Sequence, residues 1–133
     1  MGVPPSVAAA DPFDLPEWLG TCEVTWTATT GVHSGHHLHG ELTGPASSAD
    51  GPLGCDLLGV DQAFPRPVLD DQWRQRAHQA WTHGQVLTLE YDGRLTLAVP
   101  GTGFTADEVL EALGRFAKAV GAPNGCYLAA LRL

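Results

Sequence analysis

The stretch that decides the fold is Gln85-Val86-Leu87-Thr88-Leu89-Glu90-Tyr91, followed by Asp92-Gly93 and then by Arg94-Leu95-Thr96-Leu97-Ala98-Val99. Apolar and polar side chains alternate on both sides of Asp92-Gly93, and such alternation is typical of β-strands. An Asp-Gly pair between two alternating runs is a strong signal for a hairpin turn. We therefore predict two antiparallel strands that meet at Asp92-Gly93.

The register of this hairpin depends on the number of residues in its loop. A two-residue loop pairs Tyr91 with Arg94 and divides the leucines between two faces. A three-residue loop, with Gly93 forming a bulge, pairs Leu89 with Leu95 and gathers the leucines on one face. Because burying one leucine is worth roughly 1.5–3 kcal/mol, we predict the three-residue loop, with Leu89 opposite Leu95.

A capped amphipathic helix follows the hairpin. Thr105 and Glu108 have the spacing of a capping box, in which each side chain satisfies a backbone N–H of the first turn. Gly121 and Pro123 are typical of a helix end. Between these signals, apolar residues recur every three or four positions and predict one buried stripe: Val109, Leu110, Leu113, Phe116, Ala117 and Val120. A final apolar run, Tyr127 to Leu133, predicts a strand.

The first half of the chain contains three strand-like runs and one helix. The run from Thr21 to Thr29 alternates, with Cys22, Val24, Trp26 and Ala28 facing inward. The runs His36 to Leu42 and Cys55 to Val60 predict two further strands, the latter more fully buried. Asp70-Asp71 opens a helix that ends at His83-Gly84, and Trp73, Ala77, Ala80 and Trp81 form its apolar face.

These elements predict an α+β fold. Their order is β-β-β-α-β-β-α-β, and strands linked by short connections favour a mainly antiparallel sheet with two helices packed on one face. A parallel arrangement is the alternative only for the connection through the second helix into Tyr127 to Leu133. We expect residues 1–16 to form a mobile N-terminal tail and residues 17–133 to form a single domain.

Composition limits the classes of partner and the compartment. The chain has 15 acidic and 7 basic residues, a formal net charge of −8, and no cluster of lysine and arginine. Such a chain repels phosphate backbones and anionic lipid, so we expect no nucleic acid and no membrane partner. Three unpaired cysteines, no secretory signal and no long apolar run together predict a cytoplasmic protein.

A group of histidines is the sharpest candidate for a metal site. His37, His39 and Glu41 alternate along a predicted strand, so their side chains share one face and could bind zinc. The alternative is that Leu38 and Leu42 mark the inward face and leave these three side chains on a solvated surface. The sequence therefore predicts no cofactor, with zinc as the alternative.

Catalytic motifs are missing from the sequence. No Gly-x-Ser-x-Gly segment surrounds any of the four serines, so a conventional serine hydrolase is disfavoured and no catalytic residue is predicted. Leu15, Trp18 and Leu19 would form a natural contact surface for a partner if Trp18 is exposed. We therefore predict a small binding or assembly module, most simply a homodimer, with a metal-binding protein or metal-dependent hydrolase as the alternative.

Two segments resemble small actinobacterial proteins that carry no assigned activity. They are the segment from Asp11 to Gly20 and the segment from His78 to Leu95. The resemblance agrees with the absence of isoleucine and with the abundance of alanine, glycine and arginine, which suggest a high-GC genome. It implies no catalytic or binding residue.

Overall fold

The structure is a computed structural model that describes residues 7–11, 14–15, 17–20, 24–29, 37–44, 52–60, 71–91, 93–101, 105–122 and 127–130. Its helices are α1 (Asp71–Thr82) and α2 (Ala106–Ala119), with a short 3-10 helix at Glu17–Gly20. Its strands are β1 (Val7–Ala9), β2 (Val24–Ala28), β3 (His37–Leu38), β4 (Gly40–Thr43), β5 (Leu53–Gly59), β6 (Leu87–Tyr91), β7 (Arg94–Val99) and β8 (Tyr127–Ala130).

The described strands form one mixed sheet in the order β1-β6-β7-β5-β4-β2-β8, and β3 pairs with β5 beyond the end of β4. The α+β class is confirmed, but the prediction of a mainly antiparallel sheet is wrong. β5 runs parallel to β7, and β2 runs parallel to β8. The sequence missed the first parallel pair because β7 returns beside β5 only after α1 and β6 have intervened.

The two helices lie on opposite faces of the sheet, which corrects the prediction that both pack on one face. One core lies against α2 and includes Leu57 and Leu97, together with Trp26 and Phe116. A smaller core lies against α1, and its buried members are Leu58, Val60, Ala77, Leu89 and Ala98. Sequence neighbours on β5 therefore belong to different cores, as is typical of central strands covered on both sides.

The hairpin has the register that we did not predict. Leu89 lies opposite Thr96 and Tyr91 lies opposite Arg94, so β6 and β7 are joined by a two-residue loop. Gly93 in that loop has a φ of 81°, in the left-handed region that favours glycine. The prediction failed because it assumed one buried face. With a helix on each side of the sheet, Leu89 and Leu95 are both buried although they point in opposite directions.

Both predicted helices are confirmed. The Thr105 side chain accepts a hydrogen bond from the Glu108 backbone N–H at 3.1 Å, which caps α2. Val109, Leu113 and Phe116 are fully buried, but Leu110, which we predicted in the same buried stripe, is 47% exposed because it lies at the flank of that stripe. The strands predicted around Trp26 and Leu42 and in the Cys55 to Val60 run are confirmed as β2, β3–β4 and β5, while Cys22 lies outside the described residues.

The N-terminal segment contributes a strand within the predicted tail. β1 pairs antiparallel with β6, with Val7 opposite Tyr91 and Ala9 opposite Leu89. The alanines of this segment carry no strand signal, because alanine has little preference for strands. That residues 1–16 are mobile and residues 17–133 form one domain stays a prediction.

Candidate functional site

A buried carboxylate lies at the centre of a polar cluster on the α1 side of the sheet. Asp56 on β5 has 2% of its side chain exposed. Arg94, the first residue of β7, donates from Nε to Oδ2 at 2.9 Å and from Nη2 to Oδ1 at 3.0 Å. The backbone N–H of Gly40 also donates to Oδ1, at 3.3 Å. A buried carboxylate needs such partners, because an unpaired charge away from water is very costly.

Arg94 on β7 forms hydrogen bonds with residues of two other strands, β5 and β4. Its guanidinium extends across β5, close to Gly54, and Nη2 donates a further hydrogen bond to the Gly40 carbonyl at 3.2 Å. The hydrogen bonds to Asp56 raise the pKa of Arg94 above its ordinary value, so this guanidinium is permanently charged. Its side chain is 43% exposed. The pair is therefore open to solvent on the arginine side and closed on the aspartate side.

His39 is the third member of the cluster. Its Nδ1 lies 3.1 Å from Oδ2 of Asp56, and its side chain is 43% exposed. A carboxylate at this distance favours the tautomer that carries the proton on Nδ1, which makes Nε2 the nitrogen that would bind a metal ion. An imidazole held in this way can act as a metal ligand.

The other predicted metal ligands are only partly described. Glu41 is half-buried and its backbone pairs with Thr27 and Gly54. His37 lies in β3 opposite Leu58, but its side chain lies outside the described residues. Among the side chains that the structure describes, no group of three His, Cys, Asp or Glu residues could hold a metal ion. The site at His37, His39 and Glu41 therefore stays a prediction.

The sequence reasoning missed Asp56 and Arg94. The run from Cys55 to Val60 predicts a buried strand, and the charge of Asp56 within that apolar run is the available signal. Such a residue requires a charged or polar partner. The sequence did not say which residue this was, because Arg94 reaches Asp56 only through the pairing of β5 with β7.

The region around Trp18 anchors the N-terminal segment to the core. Leu19 has none of its surface exposed, and Leu15 and Trp18 are partly buried against the same core. The Tyr127 hydroxyl donates to the Leu19 carbonyl. Trp18, whose exposure the predicted contact surface requires, is thus partly buried. Whether Leu15, Trp18 and Leu19 contribute to an interface stays a prediction.

Large apolar side chains are exposed in β8 and α2, away from Trp18. The described part of the chain has two large hydrophobic side chains that are exposed, Leu128 in β8 at 64% and Leu110 in α2 at 47%. β8 is also the last strand at its edge of the described sheet, with β2 on its only paired side. Edge strands present backbone N–H and C=O groups that can pair with another chain.

Cys55 is a free thiol buried at the centre of the α2-side core. Burial, and secondarily the nearby Asp56 carboxylate, raises the pKa of the Cys55 thiol above its ordinary value. A nucleophilic cysteine needs the opposite shift and access to solvent. Cys55 is therefore a packing residue, whereas Cys22 and Cys126 lie outside the described residues.

Comparison with known proteins adds no family. No family model matches the chain, and no curated protein or solved structure is significantly similar to it. Within the described residues, no helix combines the length and hydrophobicity needed to span a membrane.

Proposed function

We propose that this chain is a small cytoplasmic binding module that associates with a second copy of itself through the edge strand β8. The observation that carries the proposal is the exposure of Leu128 at 64%, on a strand whose backbone can accept a further strand. Antiparallel pairing of β8 with β8 of a second copy would be symmetric, so that each Leu128 contacts the partner subunit.

Leu110 supports the same edge. On α2, Leu110 and Arg115 lie on opposite flanks of the buried stripe, because successive residues turn by about 100°. Arg115 donates from Nη1 to the carbonyls of Trp81 at 2.6 Å and Gln85 at 3.1 Å, so its flank faces the end of α1 and the start of β6. The flank with Leu110 therefore faces the β8 side of the sheet.

Charge sets the expected salt dependence of this association. Each chain carries a formal net charge of −8, so two copies repel each other. Salt screens repulsion between exposed charges, with a Debye length of about 10 Å at 0.1 M. Association through β8 is therefore expected to strengthen as the ionic strength rises.

The test is size-exclusion chromatography with light scattering over a range of protein and salt concentrations. We expect a dimer whose dissociation constant rises roughly tenfold or more in Leu128→Asp, a loss of about 1.4 kcal/mol. Gln79→Asp adds the same charge at an exposed position of α1 and is the matched control. A strict monomer at every concentration, or equal weakening by both substitutions, would contradict the proposal.

A second candidate function is binding of a divalent metal ion by His37, His39 and Glu41. The hydrogen bond between His39 and Asp56 favours it, because metal-ligating histidines usually give their other ring nitrogen to a carboxylate or carbonyl. Zinc prefers such nitrogen and oxygen ligands, and an open coordination position would let a bound metal activate water in a hydrolase.

The metal content of tag-free protein grown with zinc tests this second candidate. We expect stoichiometric zinc that is lost in His39→Ala and weakened roughly 10–100-fold in Asp56→Asn. His78→Ala, which removes an exposed histidine of α1, is the matched control. Equal zinc content in His39→Ala and the parent chain would exclude the site.

A further inference from the structure

We propose that the outer edge of β6 is a strand-binding site, filled by β1 of the same chain and, between two copies, by β1 of the second copy. This inference extends the proposed self-association but uses the opposite edge of the sheet from β8. The occupant is visible in the structure: Val7–Ala9 lies against β6 in one defined register, with Ala8 opposite Glu90.

The contacts of β1 are mostly made by its backbone. The N–H of Ala10 donates to the Thr88 carbonyl at 3.0 Å, and the Thr88 hydroxyl donates to the Ala10 carbonyl at 2.8 Å. Ala8 and Ala9 are exposed, Val7 packs on the α1-side core, and Ala10, just after β1, is partly buried against the α2-side core. The site therefore recognises an extended backbone.

Backbone contacts of this kind hold a strand weakly. Each hydrogen bond replaces one made to water, so its net contribution is small, whereas ordering the backbone of each residue costs conformational entropy. With little apolar burial to offset that cost, β1 is expected to leave β6 at a small cost in free energy. The released edge then exposes the backbone groups of Thr88 and Glu90 to another strand.

A second copy is the occupant that fits this edge. Its Val7–Ala9 segment would make the same contacts as in one chain, which makes exchange of identical elements a low-cost route to dimers. The segment from Gly2 to Ala10 contains no charged side chain, so its exchange adds no repulsion between acidic chains. Leu19 is fully buried and Leu15 packs against the same core, so both can keep their places while β1 crosses to the second copy.

Disulfide trapping tests the exchange. Ala8 and Glu90 are exposed and directly opposite, and Cα atoms of such a pair are about 4.5–5.5 Å apart, within the range that a disulfide spans. One chain carries Ala8→Cys and a larger, tagged chain carries Glu90→Cys, both in the Leu128→Asp background, which disables the β8 contact. The chains are mixed at high concentration, oxidised, and separated without reductant.

Exchange predicts a covalent heterodimer whose yield rises with protein concentration and falls to background when Gln79→Cys replaces Glu90→Cys. The parent chain, oxidised alone, sets the background from Cys22, Cys55 and Cys126. A yield no higher than that of the Gln79→Cys control would overturn the exchange. This holds even if a single chain that carries both Ala8→Cys and Glu90→Cys forms the disulfide within itself. Because Leu128→Asp is present throughout, this result is independent of whether β8 forms the dimer.

Discussion

Arg94 holds the buried carboxylate of Asp56 with two hydrogen bonds, one to each oxygen, at 2.9 and 3.0 Å. The geometry is the planar fork that arginine forms with carboxylates and that lysine cannot reproduce. Because β5 and β7 are parallel neighbours in the middle of the sheet, this pair joins the two strands on which both cores are built. Its removal should therefore affect the stability of the whole domain.

We expect Arg94→Ala to lower the free energy of unfolding by about 2–4 kcal/mol, because it leaves a buried carboxylate with fewer partners. The value lies below that of a fully buried pair, since Arg94 is partly exposed. Arg94→Lys should fall between the parent and Arg94→Ala. Urea unfolding measures both, with Arg76→Ala, which removes an arginine stacked on Trp73, as the control. Equal losses in Arg94→Ala and Arg76→Ala would contradict the central role of the pair.

Two glycines make room for the cluster, and they should respond differently to alanine. A Cβ atom at Gly54 would lie 2.8 Å from Nη2 of Arg94, whereas a Cβ atom at Gly40 would overlap the indole ring of Trp26. The guanidinium can move into solvent, but the ring is fixed by its hydrogen bond to the Cys55 carbonyl at 2.8 Å. Gly40→Ala is therefore expected to be the more damaging substitution.

In thermal and urea unfolding, we expect Gly40→Ala to cost about 3 kcal/mol or more and Gly54→Ala to cost less. The cost of Gly54→Ala should nearly disappear when Arg94→Ala is also present, since the clash and the ion pair are then both gone. Gly114→Ala, in an open helical position, should instead stabilise by roughly 0.5–1 kcal/mol. Additive losses for Gly54→Ala and Arg94→Ala would show that Arg94 does not need the space left by the missing side chain at Gly54.

The sequence predicted local elements better than their assembly. Thr105 and Gly121 mark the ends of α2 because a cap depends on a few neighbouring residues. The register at Leu89 was wrong for a different reason: it depends on whether one or both faces of the hairpin are covered. That condition is set by α1, whose position relative to the sheet follows from pairings between distant strands. A period of two alone does not contain this information.

The candidate site shows the same limit. His39 was identified from its spacing to Glu41, which is local. Its partner Asp56 is 17 residues away along the chain, and Arg94 is 38 residues beyond Asp56. The charge of Asp56 within a buried strand indicated that a partner had to exist, but only the order of strands determines which residue it is. The sequence around Trp18 likewise did not determine its exposure, which depends on the α2-side core against which its side chain is partly buried.

The cap of α2 gives a prediction that is independent of the polar cluster. The Thr105 hydroxyl oxygen accepts from the Glu108 N–H at 3.1 Å, and Thr105→Ala leaves that donor to water. We expect a loss of about 1 kcal/mol in urea unfolding. Thr105→Ser, which retains the acceptor, is the control and should lose much less. A loss of the same size in both variants would assign the effect to the threonine methyl group.

The last prediction concerns alkaline pH and the two buried acids Cys55 and Tyr127. The ordinary pKa values are 9.0 for the thiol and 10.0 for the phenol, and burial raises the pKa of each in the folded chain. As the pH rises past these values, the unfolded chain releases the proton and the folded chain retains it. Stability is therefore fully present below about pH 9 and is lost above it, first through Cys55 and then through Tyr127.

Each group can contribute a slope of up to about 1.4 kcal/mol per pH unit. We expect Cys55→Ala to flatten the fall in unfolding free energy between about pH 9 and 10, although its stability at pH 7 is lower because a cavity remains. Tyr127→Phe should flatten the fall above about pH 10 and also remove the hydrogen bond to the Leu19 carbonyl. Urea unfolding at closely spaced pH values measures both slopes. Parallel pH profiles for the parent chain and Cys55→Ala would show that the thiol is accessible to solvent, contrary to its burial in the α2-side core.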